Sequence, residues 1–453
     1  MYRADTIVAC ATAPGHAGIA VVRLSGPDAF SILERIVHGA KTPLPWRLHH
    51  GTARDSEGRD IDDVLAVRMP APRTYTGEDV AEIQCHGSPL VVERLISAAT
   101  NIGARPAERG EFTRRAVLNG RMDLLQAEAV ADLIDARCTS GAAVAWTQLQ
   151  GALSRRLAAL RERIVSVLAD VEANVDFSDD ELPAENVGRR LDLLARADDE
   201  MRDMLAGFPA ARRWREGHRV VFAGRPNAGK SSLVNALLGY GRMIVSAEPG
   251  TTRDSVEEVV DLEGAALVLI DTAGVRDAPG GAEAEAVARA RRHVESADIV
   301  VHVLDAAEAL SVEDRALLTR HAGTPRVVVL NKIDLGCAVP SPALRGVVDG
   351  SAVIETSALS GAGCDALARA LVALAGARSE TQPATISRVR HRAPVERARV
   401  SIEAAMTLLR TESAPELACI ELRAALTELA SITDPVDNEE VLDHIFSTFC
   451  IGK

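Results

Sequence analysis

The stretch His218-Arg219-Val220-Val221-Phe222-Ala223-Gly224-Arg225-Pro226-Asn227-Ala228-Gly229-Lys230-Ser231-Ser232 decides the reading of the chain. Its first six residues are short and valine-rich, as in a parallel strand covered on both faces. Gly224 to Ser231 then match a phosphate-binding loop, and Ser232 to Leu238 read as the helix that follows it. In that setting backbone N–H groups of Asn227, Ala228, Gly229, Lys230, Ser231 and Ser232 face phosphate oxygens and the helix presents its positive end. The Lys230 ammonium neutralises β and γ oxygens, and the Ser231 hydroxyl is a ligand for Mg²⁺.

Three further elements follow in order, each at the end of an expected strand. Asp271-Thr272-Ala273-Gly274 closes the run beginning at Ala265; its carboxylate holds Mg²⁺ through water and its glycine amide senses the γ-phosphate. Asn331-Lys332-Ile333-Asp334 closes the run beginning at Arg326. The Asp334 carboxylate accepts from guanine's N1–H and exocyclic amine, a pairing that adenine does not provide. Ser357-Ala358-Leu359, after the run ending at Glu355, brings a backbone amide to the guanine oxygen. With the run from Ile299 to Leu304 and helical segments between, these predict a doubly wound, mostly parallel sheet that binds and hydrolyses GTP. The four elements resemble those of the TRAFAC GTPases.

Val275 stands where Ras-like enzymes carry a water-positioning glutamine, and an apolar side chain cannot orient water. Two substitutes are available. Glu283 or Glu285 can align the attacking water. Asn227, with the loop Ser246-Ala247-Glu248-Pro249-Gly250-Thr251-Thr252, can hold a monovalent cation where an arginine finger would otherwise act.

Outward from this core the pattern changes. At 453 residues the chain is long enough for about three domains. Residues 1–118 mix short β-rich runs with turn-rich joins and predict an α+β domain. From 119 to 215 the pattern is helical: Leu149, Leu153, Leu157, Leu160, Ile164, Leu168 and Val171 recur every three or four residues and predict one long amphipathic helix. A second helix is expected from about Asn186 to Phe208, before Pro209. Residues 216–376 form the nucleotide domain, and helical patterning resumes across 377–453, so the nucleotide domain looks inserted into a helical bundle.

Composition restricts function further. No stretch approaches bilayer length and nothing at the amino terminus resembles a signal peptide, which predicts a cytoplasmic protein with no membrane contact. Seven cysteines without metal-ligand spacing argue against a zinc site or disulfide framework. A net charge of -13 repels polyanions at long range, so nucleic-acid contact needs a local basic patch or a partner. Arg388, Arg390, His391 and Arg392 are the clearest such cluster.

Beyond the nucleotide elements, the chain closely resembles the MnmE (TrmE) family of tRNA-modification GTPases. The resemblance rests on Asp5-Thr6-Ile7-Val8-Ala9, Val22-Arg23-Leu24-Ser25-Gly26, Tyr75-Thr76-Gly77-Glu78-Asp79-Val80, Gly110-Glu111-Phe112-Thr113-Arg114-Arg115-Ala116, Leu125-Gln126-Ala127-Glu128-Ala129, Gly250-Thr251-Thr252-Arg253-Asp254 and the terminal Phe449-Cys450-Ile451-Gly452-Lys453. It implies a folate-binding, dimerising amino-terminal domain, a helical domain assembled from two parts, and G domains that pair across the nucleotide face under K⁺ and GTP. Asn227, Ser246, Glu248 and Thr251 would hold K⁺, and Ser231 and Thr252 would hold Mg²⁺. Ungapped alignment from Asp271 makes Glu283, rather than Glu285, the counterpart of the family's catalytic glutamate.

By the same resemblance, Arg23, Glu82, Arg121 and Lys453 would bind a one-carbon tetrahydrofolate. A carboxylate can pair with pterin N–H donors while cationic side chains suit the anionic tail. Cys450 matches the cysteine that the family places near the modification site. The implied activity is modification of the tRNA wobble uridine at C5, installing an aminomethyl or carboxymethylaminomethyl group. The implied assembly is a homodimer in a heterotetramer with an FAD-carrying flavoprotein of the MnmG (GidA) type. The rival expectation is a regulatory or ribosome-assembly GTPase whose flanking domains only bind partners.

Overall fold

The structure is a computed structural model that describes residues 5–39, 44–176, 185–243, 257–271, 295–320, 323–338, 344, 348, 350–376, 384–411, 414–434, 439–447 and 449–453. The chain forms two compact units. One comprises Met1–Ala131, Gln148–Asp199 and Ala393–Lys453; the other comprises Asp132–Thr147 and Glu200–Arg392.

The first unit contains a seven-stranded sheet of β1 (Ile7–Cys10), β2 (Ala17–Ser25), β3 (Val37–His38), β4 (His49–Arg54), β5 (Asp60–Met69), β6 (Val80–Gly87) and β7 (Arg105–Pro106), in the order β3-β4-β5-β6-β2-β1-β7. All neighbours are antiparallel except β1 and β7. Because side chains alternate along a strand, Val22, Leu24 and Ile83 enter a core with residues of helices Ala29–Ile36 and Pro89–Asn101. Arg23 and Glu82, between those positions and paired in the β2–β6 register, take the other face. There Ile7, Ala9, Ala107 and Phe112 form a second small core with Tyr75 packed against it.

Helices complete this unit. The predicted amphipathic stripe exists, but the chain breaks it in two: one helix ends at Leu149 and the next runs Ala152–Asp176. Gly151 lies between them at φ +76°, the left-handed conformation that closes a helix. Leu153, Leu157, Leu160, Ile164 and Val171 are buried as expected, with Val167 rather than Leu168 completing the stripe. Helix Pro415–Thr433 packs beside Ala152–Asp176, linked by an Arg423–Glu172 ion pair at 2.7 Å. The terminal helix Glu439–Ser447 buries Leu442, Ile445 and Phe446 against Val117, Leu124, Ala127 and Val130, with Phe449 just beyond.

The helix expected to stop at Phe208 instead runs Glu185–Glu216 through Pro209. An interior proline removes a hydrogen bond and costs about 3 kcal/mol. Here Met204, Phe208, Ala211 and Trp214 stay buried at helical spacing on both sides of it, and that burial outweighs the lost bond.

In the second unit the sheet comprises β8 (His218–Ala223), β9 (Arg242–Met243), β10 (Glu257–Leu262), β11 (Ala265–Asp271), β12 (Ile299–Asp305), β13 (Arg326–Asn331) and β14 (Ala352–Glu355), ordered β14-β13-β12-β8-β11-β10-β9. The five strands from β14 to β11 are parallel, and β10 and β9 extend the edge antiparallel. Val220 and Phe222 face helices Lys230–Tyr240 and Cys364–Leu374 in one core. Leu304, Val328 and Leu330 face Leu318 of helix Val312–Arg320 in another. Cover on both faces explains the unbroken apolar runs. Strands β11 and β12 flank β8 on opposite sides, so the carboxyl end of β8 is the topological switch point where such sheets bind ligands.

Candidate functional site

Gly224 to Ser231 lie at that switch point. A Cβ on Gly224 would come within 2.3 Å of the Val303 carbonyl oxygen, and one on Gly229, at φ +92°, within 2.2 Å of the Asn331 side-chain Nδ2, so close approach dictates both glycines. Gly229 caps helix Lys230–Tyr240 at φ +92° with no side-chain cap bond. Its first N–H groups lie at a helix start, which favours an anion. The Lys230 side chain is buried and its ammonium donates to the carbonyls of Gly224 at 3.1 Å and Arg225 at 2.9 Å. It sits folded over the loop whose phosphates it would meet.

Ser231 Oγ donates to Asp271 Oδ2, which joins the helix start to the end of β11. A hydroxyl and a carboxylate at one point form the hard oxygen set that Mg²⁺ takes, so these residues fit the ion. Asn227 is at φ +62° in the middle of the loop.

On the guanine side, Asn331 is almost fully buried at the end of β13. Its Nδ2 donates to the Ala228 carbonyl at 3.0 Å, and its Oδ1 accepts from Thr356 Oγ1 at 3.2 Å and the Ala358 N–H at 3.1 Å. Ala358's amide therefore serves Asn331 in this structure. Lys332, at φ +66°, reaches Asp305 at 2.7 Å. Asp334 is exposed on the short 3₁₀ turn Ile333–Leu335, where a base can meet its carboxylate. Ser357 is buried at the start of its loop, and its hydroxyl accepts from the Ser360 N–H at 3.2 Å. Ser246, Ala247, Glu248, Pro249, Gly250, Thr251, Thr252, Thr272, Ala273, Gly274, Glu283 and Glu285 lie outside the described residues.

The first unit assembles a second cluster. Arg23 Nε donates to Glu82 Oε1 at 2.8 Å across the β2–β6 pair, while Arg23 Nη1 is buried without a hydrogen-bond partner among the described residues. The Arg23 guanidinium lies 5.7 Å from the ring centres of both Tyr75 and Phe112, and Lys453 Nζ lies 5.9 Å from Tyr75. Burial and the neighbouring Arg23 lower the Lys453 pKa below the ordinary lysine value, against the pull of Glu82. Arg121 is tied to the backbone next to Tyr75: its Nε donates to the carbonyl of Thr74 at 3.0 Å. A carboxylate, a guanidinium with an unused buried donor and an ammonium, walled by aromatic rings, fit a flat hydrogen-bonding heterocycle with an anionic tail.

The tail that carries Lys453 is fixed at both ends. Phe449 is buried, and Ile451 bridges to Arg109. Cys450 between them is exposed. Tyr75 and Phe112 were not among the expected site residues, although each sits in a motif that carries the resemblance. Arg115, from the second half of one such motif, holds the domain together instead of lining the cluster. Only 3% exposed, it pairs with Asp5 at 2.5 Å, Glu111 at 3.0 Å and Glu78 at 3.3 Å. The expected basic cluster is partly engaged within the second unit, with Arg388 bonded to Asp132 at 2.6 Å, His391 buried and Arg392 over Phe208 at 5.4 Å.

Comparison with known proteins agrees with this geometry. Residues 6–121 match the family model described as "GTP-binding protein TrmE N-terminus", and residues 124–450 match that of the "MnmE helical domain". The "tRNA modification GTPase MnmE" of Heliobacterium modesticaldum is 41% identical over 463 residues, covering 99% of each chain. Its namesake in Symbiobacterium thermophilum is 42% identical over 455 residues, again covering 99% of each. That of Geobacter metallireducens is 41% identical over 462 residues and all of both chains. Among the described residues no helix is long and apolar enough to cross a membrane.

Proposed function

The chain belongs to the MnmE (TrmE) family and is a GTP hydrolase acting in tRNA modification; from that premise we propose that it modifies the wobble uridine at C5, installing an aminomethyl or carboxymethylaminomethyl group. The observation that carries this reading is the unpartnered Arg23 Nη1 beside Glu82, in the same chain as the phosphate loop. It supports a one-carbon tetrahydrofolate held by Arg23, Glu82, Arg121 and Lys453, whose carbon becomes the methylene of the product. A flavoprotein of the MnmG (GidA) type is the expected partner, carrying FAD, in a heterotetramer built on a homodimer of this chain. A tRNA substrate is consistent with a cytoplasmic location.

The division of labour follows the expected domains: residues 1–118 bind folate and dimerise, 119–215 and 377–453 form the helical domain, and 216–376 bind GTP. In the nucleotide site, Lys230 exchanges the Gly224 and Arg225 carbonyls for β and γ oxygens of GTP. Ser231 and Thr252 would hold Mg²⁺, with Asp271 accepting from Ser231, and the ion would supply positive charge to those oxygens. Asn227, Ser246, Glu248 and Thr251 would hold K⁺, which supplies charge in place of an arginine finger. Glu283 orients the attacking water. Hydrolysis then opens G domains that pair in the GTP state, coupling nucleotide to the arrangement of the complex. Cys450, exposed on the tail, would meet substrate.

Mass spectrometry of tRNA nucleosides from cells lacking the chain tests the substrate assignment. Loss of the C5 modification is expected; unaltered wobble uridines would refute it.

A further inference from the structure

The two ends of Arg225 have different partners. Its carbonyl accepts the Lys230 ammonium at 2.9 Å, while its guanidinium donates to Glu308 at 3.0 Å and lies 3.9 Å from both Glu313 and Asp314. Asp314 is a rigid anchor. Its Oδ2 accepts from the Ser311 N–H at 3.0 Å and the Ser311 hydroxyl at 2.7 Å, and its own N–H donates to Ser311 Oγ at 3.1 Å, an interlocked cap on helix Val312–Arg320. At the start of the same segment, Asp305 takes the Lys332 ammonium at 2.7 Å.

Residues 305–314 therefore hold the phosphate loop through Arg225 and the guanine motif through Lys332. Between these ties lies a cavity of about 350 Å³, lined by Arg225, Asn227, Asp305, Glu308, Asp314 and Lys332.

We propose that the segment 305–314 is a clamp that slows nucleotide release, with Arg225 as its positioning residue. The proposal rests on reading Gly224 to Ser231 as the phosphate cradle of GTP. When Lys230 leaves the Gly224 and Arg225 carbonyls to meet phosphate, the loop loses the bonds that tie it to its own lysine. The Arg225 side chain remains anchored and preserves the loop's shape, so the nucleotide meets a pre-organised site. The same guanidinium offsets part of the negative charge of Glu308, Glu313 and Asp314, three carboxylates that would otherwise repel the nucleotide's phosphates more strongly. Both effects act on the loop and its surroundings, so GDP and GTP should be retained alike.

The test uses the full chain preloaded with N-methylanthraniloyl-GDP and chased with excess GDP in a stopped-flow instrument. Arg225→Ala should release the probe about fivefold faster, the upper range for a half-exposed ion-pair network. Arg225→Lys, which keeps the charge but not the forked contact, should fall between. Arg225→Glu and Glu308→Arg should each speed release, and their combination should return the rate toward that of the parent chain. This exchange also separates pairing from folding defects, because a purely structural loss would not be recovered by it. An Arg225→Ala rate equal to the parent's, or a double variant no slower than the singles, would overturn the clamp. Failure of the parent chain to take up the probe would overturn the phosphate-cradle reading instead.

Discussion

Asn331 donates through Nδ2 to the carbonyl of Ala228 at 3.0 Å, fastening the guanine motif to the phosphate loop. With Oδ1 shared by Thr356 and Ala358, the side chain makes three hydrogen bonds and is only 1% exposed. Asn331→Ala would leave several buried groups short of partners, at a cost of about 2–3 kcal/mol. Differential scanning calorimetry should show an unfolding midpoint lower by roughly 5 °C or more, and a titration should show weaker GDP binding. An unchanged midpoint would mean that these bonds do not hold the two motifs together.

Base selection should depend on Asp334. Its exposed carboxylate is an acceptor for two guanine N–H donors, and an amide in its place would turn a donor toward them. Asp334→Asn should weaken GTP binding about 100-fold, the value of two charge-assisted bonds, and improve binding of xanthosine triphosphate, whose ring carries a carbonyl at that edge. Competition titrations with the two triphosphates measure both changes. Equal losses for both would point to a folding defect rather than to base recognition.

The nucleotide elements were legible because each is local. A strand covered on both faces gives a continuous apolar run, and the sharp approaches at Gly224 and Gly229 leave room for glycine alone. The folate-type cluster was legible in Arg23, Glu82, Arg121 and Lys453 only through resemblance, since they lie far apart along the chain and no period relates them. Tyr75 and Phe112 were missed for the same reason. Local rules failed where packing overrode them. β4, His49–Arg54, has few residues of high β propensity and exists because β3 and β5 pair with it. The helix through Pro209 persists on its buried stripe. The break at Gly151 was a local signal, but seven apolar positions at helical spacing concealed it.

Acid sensitivity should originate in the first unit. Burial alone would raise the Glu111 pKa above its ordinary 4.5, yet hydrogen bonds from Arg105, the Glu108 N–H and Arg115 outweigh it and the value falls. Asp5 behaves alike from 3.8: burial raises it, and Arg105 and Arg115 lower it further. A carboxylate with a depressed folded pKa adds stability that is complete above its unfolded value and disappears as pH falls through its folded value. The unfolding midpoint should therefore decline as pH falls below about 4.5. Glu111→Gln should lower stability at neutral pH and flatten this slope; a parallel decline in both proteins would exclude Glu111 as a source.

Placement of Lys453 depends on a residue with no side chain. Gly452 sits at φ +99°, and a Cβ there would lie 2.1 Å from the Cys10 carbonyl oxygen, a backbone atom that cannot turn aside. Gly452→Ala should lift the last two residues from the end of β1 and carry the Lys453 ammonium away from Tyr75 and Arg23. Reduced-folate affinity, measured calorimetrically, should fall about tenfold, the equivalent of one charge-assisted contact, while GDP affinity is retained because the phosphate loop belongs to the other unit. The parent's folate affinity should also decline with rising pH before an ordinary lysine would lose its proton near 10.5, since burial and Arg23 both favour the neutral amine. Gly452→Ala should lack that decline, because a lysine released to solvent keeps its charge through the same range. If the variant bound folate as tightly as the parent, or titrated with it, Lys453 would have no part in holding the anionic tail, and the cluster would reduce to Arg23, Glu82 and Arg121.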